Sequence, residues 1–185
     1  MKKAVIIIGI LAVLLVGAFM LWRSQVKSLS PEEGFDFQDG DLKVHVYYNR
    51  PFKKGREIFA ENGLVPFGKI WRTGANEATY IETNKNLIIN GKELQKGKYS
   101  LWTIPNAESW QVIFNAEYPS WGINFKGEAN HNPEADVLTV EVPVSQTETE
   151  IEQFTISIEK TGDETELIFL WDKTVVVVPF TVAGQ

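Results

Sequence analysis

From residue 30 onward the chain offers no amphipathic helical period; its apolar residues recur at every second position in short runs. Period two is the mark of strands with one face buried. A chain that carries only this period closes its core as a sandwich or a barrel. Leu42, Val44, Val46 and Tyr48 alternate with Lys43, His45 and Tyr47. Thr79, Ile81 and Thr83 repeat the pattern, and Leu87-Ile88-Ile89 ends at Asn90-Gly91, a strong two-residue hairpin signal. Tyr99 to Ile104 stops at Pro105, and Trp110, Val112 and Phe114 share a face. Val137 to Val144, Ile151 to Glu159, Glu166 to Trp171 and Val175 to Val182 read as the remaining strands. The last is nearly all β-branched and is expected to be covered on both faces. The expected fold is an all-β antiparallel sandwich, jelly-roll-like, with Leu42, Val44, Val46, Ile81, Leu101, Phe114, Val140, Ile156, Phe169 and Val177 in its core.

The N-terminus has a different character. Lys2 and Lys3 precede an uncharged apolar run from Ala4 to Trp22, with Arg23 and Lys27 following. That run is about as long as a helix that spans a bilayer core, and Trp22 would lie at the interface. A cleaved secretory signal is the rival reading. The length of the run and the lack of a small-residue cleavage site at Arg23-Ser24-Gln25-Val26 count against it. The expected organisation is an anchor over 1–23, a tether over 24–41 and a sandwich domain over 42–185. Lys2, Lys3 and the terminal amine favour a cytoplasmic N-terminus, with the domain periplasmic or at the cell surface.

The formal net charge of −6 argues against nucleic acid as a partner, because phosphate binding needs a basic surface. There is no cysteine, which excludes disulfides, thiolate catalysis and Cys-ligated metals. The histidines, His45 and His131, stand far apart without ligand spacing, so no metal or cofactor is expected. No nucleophile elbow surrounds any serine.

One stretch resists both periods. Pro66-Phe67-Gly68-Lys69-Ile70-Trp71-Arg72-Thr73-Gly74-Ala75-Asn76-Glu77-Ala78-Thr79 packs an Arg, a Trp, an Asn and a Glu between glycines. A structural reading pairs Arg72 with Glu77 across a Gly74 turn, with Asn76 bonding backbone. A functional reading makes a polar pocket in which Arg72 and Arg56 hold an anionic or hydroxylated ligand, with Trp71 as a flat face and Glu77 as acceptor or acid/base. Arg50, Lys53, Lys54 and Arg56 form a basic cluster upstream, either a solvated turn or an anion site. Trp121, in the long unpatterned segment from Glu117 to Ala135, is a candidate stacking platform. The candidate ligand-binding set is therefore Arg50, Arg56, Trp71, Arg72, Asn76, Glu77 and Trp121.

These residues carry a family resemblance. Tyr48-x-Arg50-Pro51, Gly55-Arg56-x-Ile58-Phe59 and the block from Val65 to Thr79 resemble the bacterial domain of unknown function 2911 family. Gly97-Lys98-Tyr99-Ser100-Leu101, Ile104-Pro105, Trp110-x-Val112-Ile113-Phe114-Asn115 and Trp121-Gly122 extend the likeness over most of residues 42–180. Where the family has Gly after the Ile-Phe pair, this chain has Ala60-Glu61. The resemblance implies an exported or membrane-anchored bacterial β-domain and brings no activity with it. The expected function is a membrane-tethered binding or interaction module of the cell envelope, held in the membrane through residues 4–22, with a small anionic or sugar ligand. The alternative is a hydrolase acting on a sugar or peptide with Glu77 as acid/base. A second carboxylate near Glu77 in an open cleft separates the two.

Overall fold

In the computed structural model, which describes residues 2–119 and 121–184, the alternating runs become eleven strands. They are β1 (Glu32–Asp39), β2 (Leu42–Asn49), β3 (Phe59–Ala60), β4 (Val65–Pro66), β5 (Tyr80–Thr83), β6 (Leu87–Ile89), β7 (Lys92–Leu94), β8 (Gly97–Pro105), β9 (Ser109–Asn115), β10 (Asp136–Thr161) and β11 (Glu164–Val182). Nine of them form one large open antiparallel sheet in the order β1-β2-β5-β8-β9-β10-β11-β6-β7, while β3 and β4 pair as a small parallel ribbon. Among the described residues the helix after α1 (Lys2–Leu29) is confined to a short 3-10 turn, Pro133–Ala135.

The hairpins follow their turn residues. Asn90 and Gly91 both have positive φ, 48° and 73°, which is what a two-residue turn between β6 and β7 requires. Gly162-Asp163 joins β10 to β11 by another two-residue turn, with Gly162 at φ 65° and Thr161 paired to Glu164.

The 26-residue β10 is the hinge of the architecture. Its polar middle, expected as a break, continues as strand with register irregularities between Gln146, Ile151 and Thr155. Such irregularities bend a strand. Beyond them β10 meets the end of β2: the Tyr48 hydroxyl accepts from Ile156 N at 3.0 Å and donates to Ile156 O at 3.3 Å. Phe154 N donates to Pro51 O at 3.0 Å, and Lys53 N to Glu152 O at 2.7 Å. The larger apolar cluster joins Val44, Val46, Ile81, Leu101 and Phe114 to Phe154, Ile156, Phe169 and Val178, and a smaller one gathers Ala78, Trp102 and Ile113.

The expected core residues are buried except Val177. Val176 and Val178 take that role and Val177 is half-buried. The expectation that this strand is covered on both faces is thereby corrected: β11 keeps strict alternation from Val176 to Phe180, and its β-branched outer residues are only half-covered.

Residues 24–41, expected as a tether, instead hold the end of α1 and all of β1, which pairs with β2 along its whole length. Gly34, Phe35, Asp36 and Phe37 alternate in burial, too weakly apolar to announce a strand from sequence. The helix is long and apolar enough to cross a membrane over Ile7–Leu29, with none of that window buried, and fits a signal sequence or an anchor.

Candidate functional site

The stretch from Pro66 to Thr79 begins as an extension of the sheet. Trp71 N donates to Thr103 O at 2.7 Å and Thr103 N to Trp71 O at 2.9 Å, placing Trp71 beside β8. Its indole enters an aromatic cluster, stacked on Trp171 at 5.9 Å and edge-on to Phe154 at 5.0 Å and Trp110 at 6.1 Å. Each such pair contributes about 0.5–1.5 kcal/mol beyond burial. The chain then loops out through a strained backbone, with Thr73 at φ 53° and Asn76 at φ 57°, both in the left-handed region that non-glycine residues avoid. Internal bonds hold the loop: Trp71 Nε1 donates to Gly74 O at 2.9 Å, and Thr79 Oγ1 to Thr73 O at 2.7 Å. Gly74 is required here, because at φ 153° a Cβ would lie 2.9 Å from Asn49 O.

This loop separates Arg72 from Glu77. The expected ion pair across the Gly74 turn is not formed, because the intervening left-handed residues make a wound loop and not a simple reversal. Glu77 instead faces the end of α1: its carboxylate lies 3.5 Å from Lys27 Nζ and 3.6 Å from Arg23, and accepts from Asn49 Nδ2 at 3.2 Å. Arg72 has no carboxylate partner among the described residues, and its buried Nε has no hydrogen-bond partner. Burial pulls the Arg72 guanidinium below its ordinary pKa, since a low-dielectric site disfavours the charged form.

Arg72 lines a cleft of about 600 Å³ together with Lys54, Arg56, Trp71, Asn76 and Trp171. No Asp or Glu lines it among the described residues. In a chain of net charge −6, this is a local concentration of positive charge beside aromatic faces. The carboxamide of Asn76 donates to Ser30 O at 3.4 Å, tying the loop to the segment after α1. Arg56 donates from Nε to Lys53 O at 3.0 Å and from its terminal nitrogen to Phe52 O, which fixes the basic turn on the rim.

The structure therefore divides the candidate residues. Arg56, Trp71, Arg72 and Asn76 share the cleft. Glu77 and Trp121 border a second hollow, of about 980 Å³, with Phe19, Trp22 and Phe125. Arg50 lines neither; it is spent on structure, paired with Glu33 and donating to Phe154 O at 3.2 Å and Thr155 Oγ1 at 2.9 Å. Sequence reasoning missed Trp171, which reads as an ordinary strand residue, and it missed Lys27 and Arg23 as partners of Glu77. The charge balance after the apolar run was the available signal for the latter.

Glu32 stands near Glu77. Lys27 Nζ lies 2.5 Å from Glu32 and 3.5 Å from Glu77, so one ammonium serves both carboxylates. The hydrogen bond from Lys27 holds the Glu32 carboxyl below its ordinary pKa, and the bond from the Tyr47 hydroxyl adds to this. His45 bonds Asp36 at 2.8 Å and His131 bonds Asp136 at 2.7 Å. Among the described residues no group of three such side chains could hold a metal.

Comparison with curated proteins and with solved structures finds no match. A family model described as "Protein of unknown function (DUF2911)" matches residues 30–180. That span takes in β1, the cleft apart from Val26 and Leu29, and all but the end of β11, and the chain belongs to the DUF2911 family.

Proposed function

We propose that the chain is a membrane-tethered binding module whose cleft takes a small anionic ligand on Arg72. The observation that carries this reading is Arg72, a half-buried side chain whose Nε is buried and bonded to nothing. A buried N–H donor without a partner is costly. A ligand carboxylate or phosphate relieves that cost, because its oxygens match the planar guanidinium fork. Lys54 and Arg56 on the rim add long-range attraction, and the half-exposed Trp71 offers a flat face to the uncharged part of an acidic sugar or similar molecule.

In this reading α1 stays uncleaved, its apolar run crosses the bilayer with the N-terminus in the cytoplasm, and the domain lies outside. The two halves of the bent sheet pack as the layers of a jelly-roll-like sandwich. The hydrolase alternative draws less support. The Glu77 carboxylate is already engaged by Lys27, Arg23 and Asn49, and its neighbour Glu32 shares the same lysine. Those two carboxylates lie within about 6 Å of each other, a separation seen in glycosidases, but with an ammonium between them and not a substrate.

Thermal melting of the full chain in detergent, with glucuronate and inorganic phosphate against neutral glucose, tests the reading. Saturable stabilisation by an anion and none by glucose is expected. Equal responses to glucose and glucuronate would remove the role given to charge.

A further inference from the structure

The segment after Trp121 forms a small, well-held hairpin. Ile123 bridges Ala129, and Asn124 N donates to Glu128 O at 2.8 Å. The Asn124 carboxamide oxygen accepts from Lys126 N at 2.9 Å and from Glu128 N at 3.1 Å, closing the tip. Gly122 N donates to Asn76 O at 2.9 Å, and Asn130 N to Gly122 O at 3.1 Å, which fastens the base to the body of the domain. This ordered tip presents Phe125 wholly to solvent, at 113% relative exposure. A phenyl ring built outward on a braced turn is covered by nothing among the described residues.

Its surroundings indicate what covers it. Trp121, Ile123 and Phe125 border the same hollow as Phe19 and Trp22 of α1. Phe19 and Trp22 are the last aromatics of the apolar run, before Arg23 and Lys27, where a spanning helix leaves the hydrocarbon core. The hairpin therefore stands at the depth of the membrane interface, beside the helix. Lys126 and Glu128 flank the tip and are both exposed, leaving the ring free to enter the acyl boundary. Aromatic and aliphatic side chains such as Phe125 and Ile123 are what interfacial contacts insert.

We infer that the 121–130 hairpin is a second membrane contact, inserting Phe125 and Ile123 into the lipid interface next to α1. It would hold the Arg72 cleft at a fixed height and orientation above the bilayer. The inference rests on the reading of α1 as a spanning anchor for the depth of the hairpin, and it goes beyond the ligand reading of the cleft.

The absence of cysteine makes the test direct. Full-length Lys126→Cys is labelled with nitrobenzoxadiazole and reconstituted into phosphatidylcholine–phosphatidylglycerol vesicles containing doxyl-labelled lipid. A Glu93→Cys reporter, at the β7 edge of the sheet, serves as control. The expected result is a blue-shifted Lys126→Cys probe that loses half or more of its emission to the doxyl quencher, with the control unquenched. Adding Ile123→Ser and Phe125→Ser should abolish the quenching without lowering the melting temperature. Carbonate washing reports on the anchor separately. Retention in the pellet with an unquenched Lys126→Cys probe overturns the inference and leaves the anchor standing. Release by carbonate with quenching retained supports the hairpin contact and removes the anchor. Release with no quenching overturns both.

Discussion

Gly122 lies flat against the side chain of Arg72: a Cβ at position 122 would come within 2.2 Å of Arg72 Cδ and 2.8 Å of Arg72 Cβ. The long segment after Glu117 thus reaches the central loop by close backbone approach, and it braces the guanidinium stem from one side. Arg72 is held by packing and not by an ion pair. That distinction separates the account from one in which the loop is merely a structural turn.

Gly122→Ala should therefore disturb Arg72 first. The clash involves the inner carbons of the side chain, so swinging its tip away does not relieve it. The expected loss of stability is about 1–3 kcal/mol, the range for overpacking. Denaturant melts of Gly122→Ala, Arg72→Ala and the double variant check this. The glycine substitution should cost little in the Arg72→Ala background, since the side chain it strikes is gone.

Arg72 and Glu77 should behave as independent residues of opposite kind. Removing the Glu77 carboxylate takes an acceptor from Lys27, Arg23 and Asn49, so Glu77→Ala is expected to cost about 1–3 kcal/mol. Arg72→Met removes a half-buried charge that no described carboxylate partners, together with its unpaired Nε, and should leave the melting temperature unchanged or raise it. The two effects should add in the double variant to within about 0.5 kcal/mol. A large coupling energy would mean that the two side chains interact after all.

How much of this was legible in the sequence depends on whether a residue's role is local. The alternation of Leu42 to Tyr48 and the Asn90-Gly91 turn carry their structure in adjacent residues, and β2 and the β6–β7 hairpin form as the pattern implies. β1 was hidden because its alternating positions include Gly34 and Asp36, and its strand character comes from pairing with β2. The central block was legible as an anomaly, yet its pairing was not. The left-handed conformations at Thr73 and Asn76 send Arg72 and Glu77 into different hollows, and no spacing rule for a turn anticipates that. Trp171 reached the cleft only through the packing of the aromatic cluster.

Alkaline pH should destabilise the domain through Tyr47. Burial raises its phenol well above the ordinary 10.0, and its hydrogen bond to Glu32 at 3.0 Å adds to the shift. A group whose pKa rises on folding contributes stability that is full below its unfolded value and is lost as pH climbs toward its folded one. The denaturation midpoint should fall from about pH 10 upward, and Tyr47→Phe should reduce that slope. Burial likewise raises Tyr48, Tyr80 and Tyr99, so some alkaline loss persists in the variant. Identical slopes in the two proteins would contradict the assignment to Tyr47.

The central claim is that Arg72 waits for an anion from outside the chain. The most direct measurement is the melting temperature of full-length wild type and Arg72→Met across a glucuronate titration, repeated with inorganic phosphate. A saturable rise is expected for the wild type with at least one of these anions. Arg72→Met should start at an equal or higher melting temperature and show no rise. A rise of the same size in both proteins, or none in the wild type with either anion, would contradict it.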